Sequence, residues 1–167
     1  VVDTVIAGPA GSRLPEGAFA GRTPILDGMS LYEDVGGFDV VLAVCRRWNA
    51  LCLADPVAAH PFSHGTLHPQ HDERLAAYLA EALGGPRLYT GGYGDESKVQ
   101  RMHAGNGEHV ELDEVCVRLF RRALDDVGVP PAAGDRVGDY FERQTVAMRA
   151  FGRGRGDVPG GLPLPRV

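Results

Sequence analysis

A chain of 167 residues holds about one domain and can bury a core without disulfides or metals. Its 44% hydrophobic and 23% charged residues exclude wholesale disorder, no apolar run is long enough for a transmembrane helix, and a formal charge of −5 argues against a nucleic-acid partner. Cys45, Cys52 and Cys116, odd in number and on helical patterns, argue against a disulfide framework and read as reduced thiols of a cytoplasmic protein.

Residues 1–28 show no sustained period and read as a flexible N-terminal extension, so that Met29 is a candidate translation start. The run 1–6 is too short for the apolar core of a signal peptide, contains an acid and has no basic residue before it. A domain is expected over 29–151. It opens on Ser30-Leu31-Tyr32-Glu33, a capping box, and Gly36-Gly37 stops that helix after little more than a turn. Phe38, Val41, Leu42, Cys45, Trp48 and Cys52 recur at three- and four-residue spacings, which predicts an amphipathic helix ended by Asp55-Pro56. Residues 57–69 form a connection. The next helix begins near Gln70, carries His71, Leu75, Tyr78, Leu79 and Ala82 on one face, and stops at Gly84-Gly85-Pro86.

Residues 87–94 read as a loop containing Gly and Tyr. In 98–104 a short helix sets Val99 and His103 one turn apart with Met102 beside Val99, giving an apolar face with an imidazole at its edge. Haem iron suits that arrangement, and so does an ordinary solvated or capping histidine beside a Gly-rich turn. After Gly105-Asn106-Gly107 a long helix turns Leu112, Val115, Cys116, Leu119, Phe120, Ala123 and Leu124 inward until Pro130-Pro131. A last helix carries Val137, Tyr140, Phe141, Gln144, Met148 and Phe151. Residues 152–167, rich in Gly, Pro and Arg, are expected to be a disordered tail. The inventory is all-α, with four principal helices in two antiparallel pairs, a two-over-two helical sandwich.

From Ser30 to about Phe151 the chain resembles a truncated haemoglobin of group II. The likeness is carried by Leu31-Tyr32-Glu33-Asp34-Val35-Gly36-Gly37, by Tyr78-Leu79-Ala80-Glu81-Ala82-Leu83-Gly84-Gly85-Pro86 with Tyr89, and by Arg101-Met102-His103-Ala104. The resemblance implies a haem b cofactor whose iron is bonded by His103, with Val99 and Met102 beside it. It implies that His71 faces the bound gas, with Leu75 and Tyr78 further along the same face; as a helix-start residue, His71 could equally point to solvent. Arg74 resembles a residue that pairs with a haem propionate, Tyr89 a tyrosine near that group, and Phe62 an aromatic against the porphyrin. The family usually lines the distal pocket with a Tyr and a Trp where this chain has Asn49 and Cys116. Trp48 lies about 100° around the helix from Asn49 and does not replace the missing Tyr. Gly105 and Asn106 stand where relatives continue with Pro and Phe, which implies a looser proximal helix.

His60, His64, His68 and His71 imitate a zinc spacing, but Pro61, Gly65 and Pro69 interrupt any helix through them, and no Cys or carboxylate pair completes a zinc pattern. Cys116 lacks a sequence-evident base for nucleophilic work, and the Gly-rich turns lack the strand and helix of a phosphate loop. The expected function is reversible binding of oxygen or another diatomic gas. The alternatives are peroxidase-like or nitric-oxide-dioxygenase-like catalysis with an external reductase, and a degenerate globin that has lost haem.

Overall fold

The computed structural model describes residues 29–59 and 68–167. Seven α-helices and no strand are found among them: α1 (Leu31–Val35), α2 (Phe38–Ala54), α3 (His71–Ala82), α4 (Leu88–Gly92), α5 (Glu96–His103), α6 (Val110–Val127) and α7 (Pro131–Ala147). The expected extension 1–28, Phe62, His60 and His64 lie outside the described residues.

Ser30 caps α1 as its sequence predicts: the Glu33 amide donates to Ser30 Oγ at 3.4 Å and the Ser30 amide donates back to Glu33 Oε2 at 2.9 Å. Gly36 then adopts a φ of 110°, which a side chain would resist, and the chain turns into α2. Asp55 ends α2 by accepting the Val57 and Ala58 amides at 2.9 and 3.1 Å. Helix α2 packs against α3 and α6, and α6 packs against α7, so two helix pairs cross over a common core. At that crossing Trp48 meets Phe120 and Phe141 edge-on, with centroids 6.0 and 5.2 Å away, while Phe120 and Phe141 stack at 3.8 Å.

The Gly84-Gly85 pair does more than stop α3. A Cβ on Gly85 would sit 2.7 Å from both the Ala80 carbonyl and the Tyr32 ring, so glycine lets α1 close on the end of α3. The Tyr32 amide donates to the Leu83 carbonyl at 2.9 Å across the same contact.

Two expectations are corrected here. Residues 87–94 are not simply a loop, because Leu88–Gly92 forms α4. Its first amides are satisfied by a buried carboxylate: Glu81, 1% exposed, accepts from Tyr89 N at 3.1 Å, Thr90 N at 2.9 Å and Thr90 Oγ1 at 2.6 Å. Residues 152–167 do not form the tail their composition suggests. After 3-10 turns at Met148–Phe151 and Arg155–Asp157 they lie on the helices, with Val158 buried, the Val167 amide donating to the Ala82 carbonyl at 3.2 Å and Arg166 3.5 Å from Glu81. Composition misleads because prolines lower the entropy cost of ordering a segment, and here a few backbone hydrogen bonds hold it in place.

Burial pushes the Glu81 carboxyl up, but the hydrogen bonds from Thr90 and Tyr89 and the charge of Arg166 outweigh it and hold the group below its ordinary value. Its contribution to stability is therefore complete above the unfolded carboxylate value and is lost as pH falls through the lower folded one. Glu81→Gln is expected to cost about 1–3 kcal/mol at neutral pH and to flatten the acid limb of stability. Urea midpoints measured from neutral pH down to about pH 3 check this, and an equally steep acid limb in the variant would assign the acid sensitivity to other groups.

Candidate functional site

At the start of α3, His71 Nδ1 lies 3.1 Å from Asp72 Oδ1, and Asn49 of α2 donates its Nδ2 to the same oxygen at 3.0 Å. An ionised carboxylate only accepts, so Nδ1 of His71 carries a proton, and Nε2 holds a lone pair in the neutral ring or a second proton in the imidazolium. Asn49 Oδ1 is buried without a hydrogen-bond partner among the described residues. Asn49 and His71, far apart in sequence, are thus joined by Asp72. Sequence reading passes over Asp72 because an acid in the first turn is an ordinary complement to the helix dipole.

One turn along α3 the Arg74 guanidinium lies 5.3 Å from the Tyr93 ring centroid, and Arg74 Nε is buried with no partner among the described residues. Tyr93, unremarked in the sequence, lies 6.1 Å from Tyr89. Leu75 packs half-buried against the core. Tyr78 and Tyr89 are buried and meet edge-on at 5.3 Å. The Tyr78 hydroxyl donates to Glu96 Oε2 at 2.8 Å, and Gln100 Nε2 donates to Glu96 Oε1 at 2.6 Å, tying α3 to α5. Burial, then the neighbouring Tyr140 and Glu96, pushes the Tyr78 hydroxyl up, so it remains a donor.

Helix α5 starts on Asp95, whose carboxylate accepts the Lys98 amide at 2.9 Å. His103 is its last residue, and the Val99 carbonyl one turn earlier lies 2.9 Å from His103 Nδ1. A carbonyl accepts only, so Nδ1 donates and the neutral ring carries its lone pair on Nε2, the nitrogen through which it could bind a metal. Val99 is buried, while Met102 and Val110, at 54% and 47%, are among the most exposed large apolar residues. The turn beyond His103 is tied down rather than loose: Ala104 is buried and the Gly105 amide donates to the Phe151 carbonyl at 3.2 Å.

The α6 position expected on the pocket wall, Cys116, shares a hydrogen bond with the Cys52 thiol. Its carbonyl accepts the Trp48 indole N–H at 3.0 Å. Among the described residues no group of three or more His, Cys, Asp or Glu gathers as a metal ion would require.

A family model described as bacterial-like globin matches residues 30–150, well over half of the chain. The chain belongs to the bacterial-like globins. This globin is similar to a thermostable haemoglobin from the actinobacterium Thermobifida fusca, at 29% identity and a TM-score of 0.61 over 72% of this chain and 96% of that one. The group II 2-on-2 haemoglobin of Agrobacterium tumefaciens matches at 26% identity and a TM-score of 0.64, covering 74% of the globin and 95% of that chain. The haemoglobin of the thermophilic phototrophic bacterium Chloroflexus aurantiacus matches at 25% and 0.63, covering 72% and 98%. The fold is the two-over-two arrangement of the truncated haemoglobins, and the family implies a haem cofactor.

The globin's own residues fit that group. Arg74 Nε is a buried donor that suits a carboxylate, exposed Met102 and Val110 suit an apolar macrocycle, and His103 is held in a ligating tautomer.

The thiols give a further check on the geometry. Burial, then the charge of Asp72, pushes Cys45 up; the shared hydrogen bond pushes Cys52 up and draws Cys116 down. Half-buried Cys116 is therefore expected to react first with iodoacetamide under native, mildly alkaline conditions, and Cys45 only as fast as the protein opens. Mass spectrometry of timed digests reads the order, and equal rates for all three would contradict the packing of α2 on α6.

Proposed function

We propose that this globin binds haem b through His103 and uses it to hold diatomic gases reversibly, oxygen foremost. The observation that carries the reading is the hydrogen bond from His103 Nδ1 to the Val99 carbonyl at the end of α5, which fixes the ring and presents Nε2. The haem supplies an iron that takes up a diatomic ligand. The polypeptide does the rest: α5 holds the imidazole, exposed Met102 and Val110 offer apolar surface to the macrocycle, and Arg74 offers its guanidinium to a propionate.

On the distal side His71 is the donor toward the ligand when both ring nitrogens carry hydrogen, with Nδ1–H held by Asp72 and Nε2–H offered to the gas. Asn49 spends its amide on Asp72, and the Cys116 thiol, a weak donor, is engaged with Cys52. Three free thiols suit a reducing compartment, so the cytoplasm is the proposed location. A second reading is favoured by the Asp72–His71 contact, since a carboxylate behind an imidazole strengthens it as a base. His71 would then take a proton from one oxygen of hydrogen peroxide and return it to the other, with electrons from an external reductase.

The visible spectrum of the purified protein with added haem tests the core of this reading. A Soret band is expected in the wild type and its stable ferrous form is expected to be lost in His103→Ala, with helical circular dichroism largely kept. An unchanged ferrous spectrum in that variant would remove His103 from the role, and a wild type that takes up no haem would make the chain a degenerate globin. His71→Leu is expected to speed oxygen release roughly 5- to 150-fold, the loss of one hydrogen bond of about 1–3 kcal/mol, while carbon monoxide leaves at a nearly unchanged rate. Asp72→Ala is expected to act in the same direction and less strongly. Stopped-flow measurements decide it: oxygen release unchanged in both variants would turn His71 away from the ligand. Peroxide turnover lost in His71→Leu would favour the second reading.

A further inference from the structure

Helix α5 spans only Glu96–His103, and a helix of that length is marginal without tertiary support. Part of its support comes from the segment that follows the last helix. Ser97, fully buried, accepts the Leu162 amide on Oγ at 3.0 Å. One turn later Arg101 Nη2 donates to the carbonyl of Val158, itself 5% exposed, at 3.3 Å. Two residues past His103 the Gly105 amide meets the Phe151 carbonyl. The far end of the segment is moored on other helices, where the Tyr140 hydroxyl of α7 donates to the Pro165 carbonyl at 3.0 Å and Arg166 lies 3.5 Å from buried Glu81 of α3.

We propose that residues 158–166 clamp α5 from behind and thereby position His103, with Ser97, Arg101 and Tyr140 as positioning residues. This rests on the reading of His103 as the iron ligand. At about 100° per residue, the Ser97 and Arg101 side of α5 is roughly 140° around the helix from His103, so the clamp bears on the side away from the imidazole. Pro159, Pro163 and Pro165 make the segment cheap to order, and its backbone groups satisfy a buried hydroxyl on α5 and the buried phenol of Tyr140. A helix held only at its two ends could tilt and carry the ligand nitrogen with it. One moored along its back cannot.

The test uses full-length protein. Val158→Asp puts a charge where the segment is buried, Ser97→Ala removes the acceptor for Leu162, and Val146→Asp, on an exposed site of α7, controls for an added charge. Hydrogen exchange followed by mass spectrometry reports whether 158–166 and α5 lose protection. Haem transfer to excess apomyoglobin and the iron–histidine stretching band of the ferrous protein report on His103. Val158→Asp is expected to expose both segments, speed haem transfer about tenfold or more and shift or broaden the band, with Ser97→Ala intermediate and Val146→Asp unchanged. Released segments with a wild-type transfer rate and band would overturn the proposal. If Val158→Asp fails to fold, Ser97→Ala decides, and a wild-type band and transfer rate there are equally fatal. If the wild type binds no haem, it is the functional reading that fails. The clamp is then judged on α5 exchange alone, and unchanged protection in the variants refutes it.

Discussion

The contact on which the rest depends is the crossing of α2 and α6 at Trp48. An indole buries a large apolar surface but carries one N–H that must be satisfied, and here the Cys116 carbonyl accepts it while Phe120 and Phe141 pack the ring. That single residue fixes the rotation of α2 about its own axis. Once it is fixed, Asn49 faces the start of α3 and Cys52, one turn on, meets Cys116. The polar character of the candidate pocket follows from a hydrophobic anchor beside it.

The helices were legible because their burial is periodic. Val41, Cys45, Trp48 and Cys52 all turn inward, as do Leu119, Phe120, Ala123 and Leu124, and the capping box at Ser30 falls where the side chains predict. What resisted reading was polar. Asp72 looks like an ordinary first-turn acid until Asn49 and His71 are seen on the same oxygen. Glu81 lies on a helix, and only the fold shows that it caps another one. Segment 152–167 has the composition of a tail, and its placement depends on hydrogen bonds with Ser97, Arg101 and Tyr140, of which Ser97 and Arg101 have no periodic signature and Tyr140 reads only as core.

Two carboxylates share a design. Glu81 and Glu96 are nearly fully buried, and each joins a short helix to α3: Glu81 of α3 accepts from α4, and Glu96 of α5 accepts from Tyr78 of α3 and from Gln100 of its own helix. An apolar pair in either place would pack but would not select one register, whereas a carboxylate with fixed donors does. The short helices α4 and α5 lack long apolar faces and depend on these acids for their placement.

The far reach of residues 158–166 bears on the order in which the molecule is completed. Synthesis delivers the chain from its N-terminus, so residues 158–166 are made after every one of the helices α1 to α7. The backbone partners of Ser97 and Arg101 come 65 and 57 positions later, and the amide that meets Ala82 is that of Val167. Helix α5 therefore gains its backing from a stretch made after all the helices, and a nascent chain lacking those residues presents His103 on a helix held through Glu96 and Tyr78 but not along its back.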